Sequence, residues 1–498
     1  MNRITSTLLW FSSAIAIAAS AAGAQFSAAD YQQRRTALLA QLPDAGVVVA
    51  LGAHEPPQDY LSFYQSPSFN YLTGLLEPEA ALVMVKSVRG VTSTLFVEPC
   101  VPAREIWVGA RLGTDAAARR TGVPARDVAD FPRVLDSLAG AGLPFYFIGD
   151  FVNGEGGHDR RTPDEQLVAE FRQRHSSVAV KNFTPVVEQL RASKSPGELA
   201  LIRTAAEITA RAEREAMQAL APGMNEFEIQ ALIEYVFRRN GADRPSFASI
   251  VGSGPNATTL HYNLDDRFIQ PGDIVVMDVG ASYKGYAADV TRSIPASGVY
   301  SPEQRAIYQI VRDAQAAAER QATLGAAAHL MSDSATALLA AGLTRLGLIE
   351  SPNATYDCDF GGRVARCPQY QLYYMHGLGH GIGLEVHDPD QYYFSGTIAP
   401  GSAFTIEPGL YVRADVLDVL PPTPANRALA AHLRDAVARY RDIGIRIEDD
   451  YVVTSSGVEW ISRAPRELAE IEALMKAARP AWPAGRDSAL VERYRQPR

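Results

Sequence analysis

Short apolar runs set off by turn residues dominate the chain after residue 40. Gly46-Val47-Val48-Val49-Ala50-Leu51, Ala81-Leu82-Val83-Met84-Val85 and Thr94-Leu95-Phe96-Val97 are nearly all apolar. Such runs predict strands buried on both faces. Phe145-Tyr146-Phe147-Ile148 is another short one. Helical spacing appears between and after them, at 30–42 and 114–121. Alternating strands and helices predict an α/β domain.

The pattern changes near residue 190. The segment Arg191-Ala192-Ser193-Lys194-Ser195-Pro196-Gly197-Glu198 is polar and carries Pro and Gly. A long helix is expected from Glu198 to Leu220, with Leu199, Ile202, Ala205, Ala206 and Thr209 on one face and Pro222-Gly223 as its stop. A second helix is expected from about Glu226 to Arg239. The domain boundary is placed just before Ser193.

Residues 246–300 read as β structure with glycine turns. Ser301-Pro302-Glu303-Gln304 then has the form of a helix start, with Ser as N-cap and Gln at the capping-box position. That helix is expected to reach about Thr323, and another to cover 329–346. Further strands follow, so the second domain reads as α+β. Residues 466–498 are charged and contain Pro, which suggests a helix and then a loose tail.

Composition narrows the partners. Hydrophobic residues make up 47% and charged residues 21% of 498, ordinary for a globular chain of two or three domains. The net charge of −9 disfavours nucleic acid or an anionic membrane as partner. At the N-terminus Arg3 is the only charge before Asp30, Leu8 to Ala19 is apolar, and Ala22-Gly23-Ala24 offers a small-x-small cleavage site. Residues 1–24 therefore read as a signal peptide cut after Ala24, and the mature chain as periplasmic or secreted, with no membrane association. Cys358 and Cys367, nine residues apart, are either a small-loop disulfide or two free thiols. Cys100 is expected to be buried and inert. No Cys-x-x-Cys pattern points to a thiolate zinc site.

Five residues stand out chemically. Asp278 ends an apolar run, and Asp289 follows eleven residues later beyond a glycine-containing turn. A hairpin would bring both carboxylates to one face, where they repel unless a cation lies between them. His380 lies in His376-Gly377-Leu378-Gly379-His380-Gly381, and His387 comes seven residues after it. Glu407 and Glu448 each follow an isoleucine in strand-like runs. A buried carboxylate there needs a cation or a good ion pair. Arg446, two residues before Glu448, is available to pair with Asp278. Four carboxylates and one imidazole can hold two divalent cations, the equipment of a two-metal hydrolase.

In this order, the five segments resemble the aminopeptidase P and prolidase branch of the pita-bread metallopeptidase family. The linker Arg191-x-x-Lys194-Ser195-Pro196-x-Glu198 resembles the family's lead-in to its catalytic domain, and Ser68-Phe69-Asn70-Tyr71-Leu72-Thr73-Gly74 with Glu77-Pro78 resembles its N-terminal domain. The resemblance implies an N-terminal α/β creatinase/prolidase-like domain at 25–190, a pita-bread catalytic domain at 193–465 and an extension at 466–498.

The same resemblance implies roles. Asp278 would chelate one metal, Asp289 and Glu448 would bridge two, and His380 and Glu407 would complete one shell each. Glu407 would take the proton of the attacking water. His261 and His376 would stabilise the tetrahedral oxyanion or hold the scissile carbonyl, and His387 would meet substrate near the proline. The oxygen-rich ligand set favours manganese, while cobalt or zinc would also fit.

The activity implied is an Xaa-Pro aminopeptidase acting on peptides with proline at the second position. The alternative is a prolidase, which takes dipeptides and needs a cation for their carboxylate; Arg363, Arg366 and Arg413 are available. A creatinase-like hydrolase and a peptide-binding scaffold are weaker readings, since all five ligand positions are present. Family members form dimers or tetramers. Trp107 either shapes a neighbour's site or packs in the core. Segments 352–372 and 414–440 look longer than the family's loops, and trimming 416–436 is expected to change the preference between long and short peptides.

Overall fold

The computed structural model describes residues 26–58, 61–151, 161–359 and 361–477. The proposed signal peptide and the tail beyond residue 477 lie outside them. No helix among the described residues is long and apolar enough to cross a membrane.

The first unit is a six-stranded mixed sheet with Gly46–Leu51 near its centre. That strand pairs antiparallel with Ala81–Ser87 and parallel with Phe145–Ile148. Gly90–Val97 and Ala125–Asp127 extend one side, and Val180–Asn182 the other. Helices cover both faces, which explains the unbroken apolar runs. Val48, Ala50, Leu82, Met84 and Ile148 pack on Leu38 and Leu42 at one face. Val47, Val49, Val83, Phe145 and Phe147 pack on Phe131, Leu135 and Phe171 at the other.

The second unit opens with the helix Pro196–Ala219. Ser195 and Glu198 form its capping box, and Pro196 stands at its first position. Glu226–Arg239 and Pro302–Gln321 begin on the same reciprocal device, with Asn225 and Ser301 as caps. His329–Leu346 ends at Gly347 in the left-handed conformation.

Antiparallel strands face these helices. Ile250–Ser253, Ile274–Val279 and Val290–Pro295 form one group, and Ala403–Ile406, Asp449–Thr454 and Gly457–Trp460 another. Gly409–Val412 pairs with Ile443–Arg446. One continuous core, including Ile307, Tyr308, Leu339, Phe404, Ile445 and Ile447, joins sheets and helices. The architecture is α+β, as the pattern predicts.

Some expectations are corrected. The stretch 414–440 is not a loop: it contains the helix Pro424–Tyr440, which buries Leu429, Leu433 and Val437. Trimming 416–436 would therefore remove core, and it cannot test substrate length cleanly. Cys100 is exposed, because it follows the strand Gly90–Val97 and leaves the sheet; its thiol donates to the Arg111 carbonyl at 3.3 Å. Trp107 is 76% exposed on the short helix Pro102–Val108, so it is not a core residue. The open question about the other cysteines is answered by geometry. Thr355–Asp359 and Val364–Pro368 form a hairpin in which Cys358 faces Ala365 and Cys367 faces Tyr356, so the two cysteines are diagonal neighbours, and they are disulfide-bonded with a Cα separation of 5.8 Å.

Candidate metal centre

Asp278 sits in the strand Ile274–Val279 and Asp289 just ahead of Val290–Pro295. The strands pair with Val279 opposite Val290 and Asp278 opposite Thr291. The turn between them is longer than a tight hairpin: Ala281–Tyr283 folds back on Tyr286–Ala287 around Lys284 and Gly285, both at positive φ. Gly280 has no room for a side chain, since a Cβ there would strike the carbonyl oxygen of Ala288. The Asp289 N–H donates to the carboxylate of Asp450 at 3.2 Å.

The histidine segment lies against the strand Ala403–Ile406. Thr405 N–H donates to the His380 carbonyl at 2.8 Å, and Glu407 N–H to the Leu378 carbonyl at 2.7 Å. A Cβ on Gly379 would run into the Thr405 carbonyl, so glycine permits this close approach. Glu407 and Glu448 do not lie inside strands. Each falls in the break just past one, after Ile406 and after Arg446. The interruption frees the side chain from the alternation of a sheet and lets it turn inward.

The five side chains share one buried space. His380 Nε2 is 3.5 Å from Asp289 Oδ2, 3.5 Å from Glu407 Oε1 and 3.8 Å from Glu448 Oε1. Asp289, His380 and Glu448 each offer a ligand atom within 4.8 Å of the others. Arg446 pairs with Asp278 at 2.5 Å. Thr291 Oγ1 donates to Glu448 Oε2 at 2.7 Å.

Burial, followed by the neighbouring acids, pushes the Asp289 and Glu448 carboxyls well above the ordinary range. Burial raises Glu407 to about 8, against the opposing pull of Arg446. It lowers His380 and His376 to about 4, which keeps both imidazoles neutral. Neutral imidazole and crowded carboxylates are what a divalent cation requires. One test of fit is polar satisfaction. Asp278 Oδ1, Asp289 Oδ1 and Glu448 Oε1 are buried without a hydrogen-bond partner. Orphaned acceptors on three of the five residues are unfavourable unless a cation meets them.

The other proposed residues surround this cluster. The His387 ring is 4.2 Å from that of His380. His261 is exposed, next to Leu260, whose carbonyl accepts from Arg446 at 3.3 Å. His376 meets the Gly377 carbonyl through Nδ1 at 2.7 Å and the Tyr411 hydroxyl through Nε2 at 2.9 Å. That hydroxyl accepts from Arg446 Nη1 at 2.8 Å.

Tyr411 was missed in the sequence. It is the hinge of the chain Asp278–Arg446–Tyr411–His376, and only the pairing of Gly409–Val412 with Ile443–Arg446 brings it there. Its signal was its place four residues after Glu407. Of the candidate carboxylate binders, Arg366 pairs with Asp357 and Arg413 with Asp415, both at 2.8 Å. Arg363 and Arg413 line a separate cavity of about 600 Å³ beside the disulfide hairpin. Among the described residues, none of the three forms an ion pair with the cluster.

The comparisons with known proteins fit this geometry. The model of "Metallopeptidase family M24" matches residues 200–455, and that of "Aminopeptidase P, N-terminal domain" matches residues 31–143. The Xaa-Pro aminopeptidase of Escherichia coli K12 is 34% identical over 91% of this chain and 99% of its own length. That of Haemophilus influenzae is 31% identical over 90% and 97%. The solved structure of E. coli aminopeptidase P with the inhibitor Pro-Leu superposes with a TM-score of 0.74, at 32% identity, over 91% of this chain and 98% of that one. A zinc-substituted form of the E. coli enzyme in complex with product gives 0.73 at the same identity and coverage.

Proposed function

Because the chain belongs to metallopeptidase family M24, with an aminopeptidase P N-terminal domain ahead of its pita-bread catalytic domain, we propose that it is a metallo-aminopeptidase. It releases the first residue of peptides that carry proline in second position. The observation that carries this is the buried cluster of Asp278, Asp289 and Glu448, each with an unpartnered oxygen, around His380. Two relatives of nearly the same length are named for this activity.

Asp278, Asp289, His380, Glu407 and Glu448 would hold two divalent cations, and the oxygen-rich set suits manganese. Bound cations supply Lewis-acid activation of a water and of the scissile carbonyl. The chain's residues do the rest. Glu407 receives the proton of the attacking water and returns it to the prolyl nitrogen, which leaves as a secondary amine. That proton is essential, because the nitrogen before cleavage is tertiary and carries no hydrogen.

His376 is engaged at both ring nitrogens. The carbonyl contact therefore falls first to His261, while His376 braces Tyr411. Arg446 fixes Asp278, and Thr291 fixes Glu448. His387 meets substrate near the proline. The disulfide agrees with a periplasmic or secreted location. We further propose a homo-oligomer, dimer or tetramer, in which the exposed helix bearing Trp107 meets a neighbouring subunit.

The test uses the mature chain, residues 25–498, with added manganese. It is offered an Xaa-Pro dipeptide and an Xaa-Pro-Yaa-Zaa tetrapeptide, and products are followed by mass spectrometry. Cleavage of the tetrapeptide after its first residue is expected, with Asp289→Ala inactive. Cleavage of the dipeptide alone would make the protein a prolidase. If neither peptide is cut, or Asp289→Ala matches wild type, the peptidase reading fails.

A further inference from the structure

A cavity of about 980 Å³ opens between the two units, with His387 in its lining. It therefore begins at the edge of the metal centre. Its wall carries Arg34, Arg120, Arg244 and Lys284 against Asp243 and Glu385, in a chain of net charge −9. Some of that charge is already paired: Arg34 pairs with Glu198 at 3.2 Å, while of the acids Glu385 receives Arg191 at 2.5 Å from outside the cavity lining. Arg244 differs. It lies in the short strand Arg244–Pro245, pinned opposite Ala281 and Ser282. Its guanidinium lies over the ring of Tyr64, 4.0 Å from the centroid, across the gap between the units. Among the described residues no carboxylate pairs with it; the neighbouring Asp243 instead accepts from Gly285 N–H at 2.8 Å. Stacking fixes the plane of a guanidinium and leaves its edge donors free, which prepares them for an anion.

We propose that this cleft takes the part of the peptide downstream of proline, and that Arg244, held by Tyr64, receives an anionic group there. The group is either the peptide's C-terminal carboxylate or an acidic side chain. This rests on the aminopeptidase reading above and deepens it: the site would select peptides by the residues downstream of the proline.

Full-length mature enzyme with manganese is assayed on Xaa-Pro-Yaa tripeptides as free acids and as amides. It is also assayed on amidated tetrapeptides with Glu or Gln in third position. Wild type is expected to favour the anionic member of one pair by about 10-fold in kcat/KM, the worth of one charge-assisted hydrogen bond. Preference for the acid over the amide identifies the C-terminus, and preference for Glu over Gln identifies a side chain. Arg244→Gln is expected to abolish the preference by raising KM, with kcat and the neutral peptides unchanged, and Tyr64→Ala to weaken it. If wild type cuts neutral and anionic peptides equally, or Arg244→Gln keeps the preference, the inference is overturned while the aminopeptidase stands. If wild type cuts no Xaa-Pro peptide, both fall together.

Discussion

Glu407 shows how one side chain couples chemistry to stability. Without a cation its carboxyl is pushed from 4.5 to about 8 by burial. Between those values the folded chain keeps a proton that the unfolded chain has lost. Stability of the metal-free protein must then fall as pH rises through that window. Chelator-treated protein is accordingly expected to melt lower at about pH 8 than at about pH 5. Added manganese should restore more at the higher pH, and calorimetry showing an equal metal effect at both would refute this. A second residue, Tyr411, touches both Arg446 and His376. Tyr411→Phe is expected to lower kcat by about 10- to 100-fold, as loss of a partner behind a ligand does, while the fold is retained. Unchanged steady-state kinetics would remove Tyr411 from the machinery.

At the scale of elements, the candidate site depends on strands that end where a proposed ligand stands and on glycines where backbones touch. Gly379→Ala would force the His380 segment off the strand Ala403–Ile406. The expected result is a loss of about 1–3 kcal/mol of stability together with weaker metal retention, read by calorimetry and by metal analysis of the same sample. A stable variant with full metal content would contradict it. The group around Asp449–Thr454 is stapled from within by Arg292, which is fully buried. It bonds Asp449 at 2.7 Å and the carbonyls of Glu448 and Pro465 at 2.6 and 2.7 Å. Arg292→Met removes one of the two guanidinium groups on Asp449, which keeps Arg466 at 2.8 Å, together with the donors to the Glu448 and Pro465 carbonyls. It should destabilise by about 1–3 kcal/mol, and a denaturant midpoint equal to wild type would show the staple to be dispensable.

At the scale of the whole molecule, the two units meet at the loop that carries His387. Arg191, from the linker, is buried and reaches Ser68 of the first unit at 3.1 Å, Glu385 at 2.5 Å and Asp388. Lys194 adds a second bond to Asp388 at 3.1 Å. The motif Arg191-x-x-Lys194 is thus a clamp on the His387 loop. Arg191→Met is expected to reduce kcat/KM by about 10- to 100-fold with metal content intact, because the five proposed ligands do not touch it. If metal is lost along with activity, the clamp acts on the whole domain and not on the loop.

The sequence by itself determined most of the elements and singled out the candidate cluster. Continuous apolar runs marked the strands Gly46–Leu51 and Phe145–Ile148. The Ser-Pro-x-Gln start marked the helix Pro302–Gln321, and apolar spacing marked the long helix that begins at Pro196. Acids and a histidine in glycine-rich surroundings marked the candidate metal centre, because caps, periodicity and ligand chemistry are local properties. What only the tertiary structure decided involves residues distant in the chain. The placing of Tyr411 against Arg446 required a strand register. The helix Pro424–Tyr440 hid in what looked like a loop, since its buried face is defined only by the core it meets. The disulfide needed a Cα separation, the exposure of Cys100 and Trp107 needed neighbours, and the Arg244–Tyr64 stack exists only because two separately folded units face each other. Such contacts are set by three-dimensional packing, and spacing along a chain does not encode them one residue at a time.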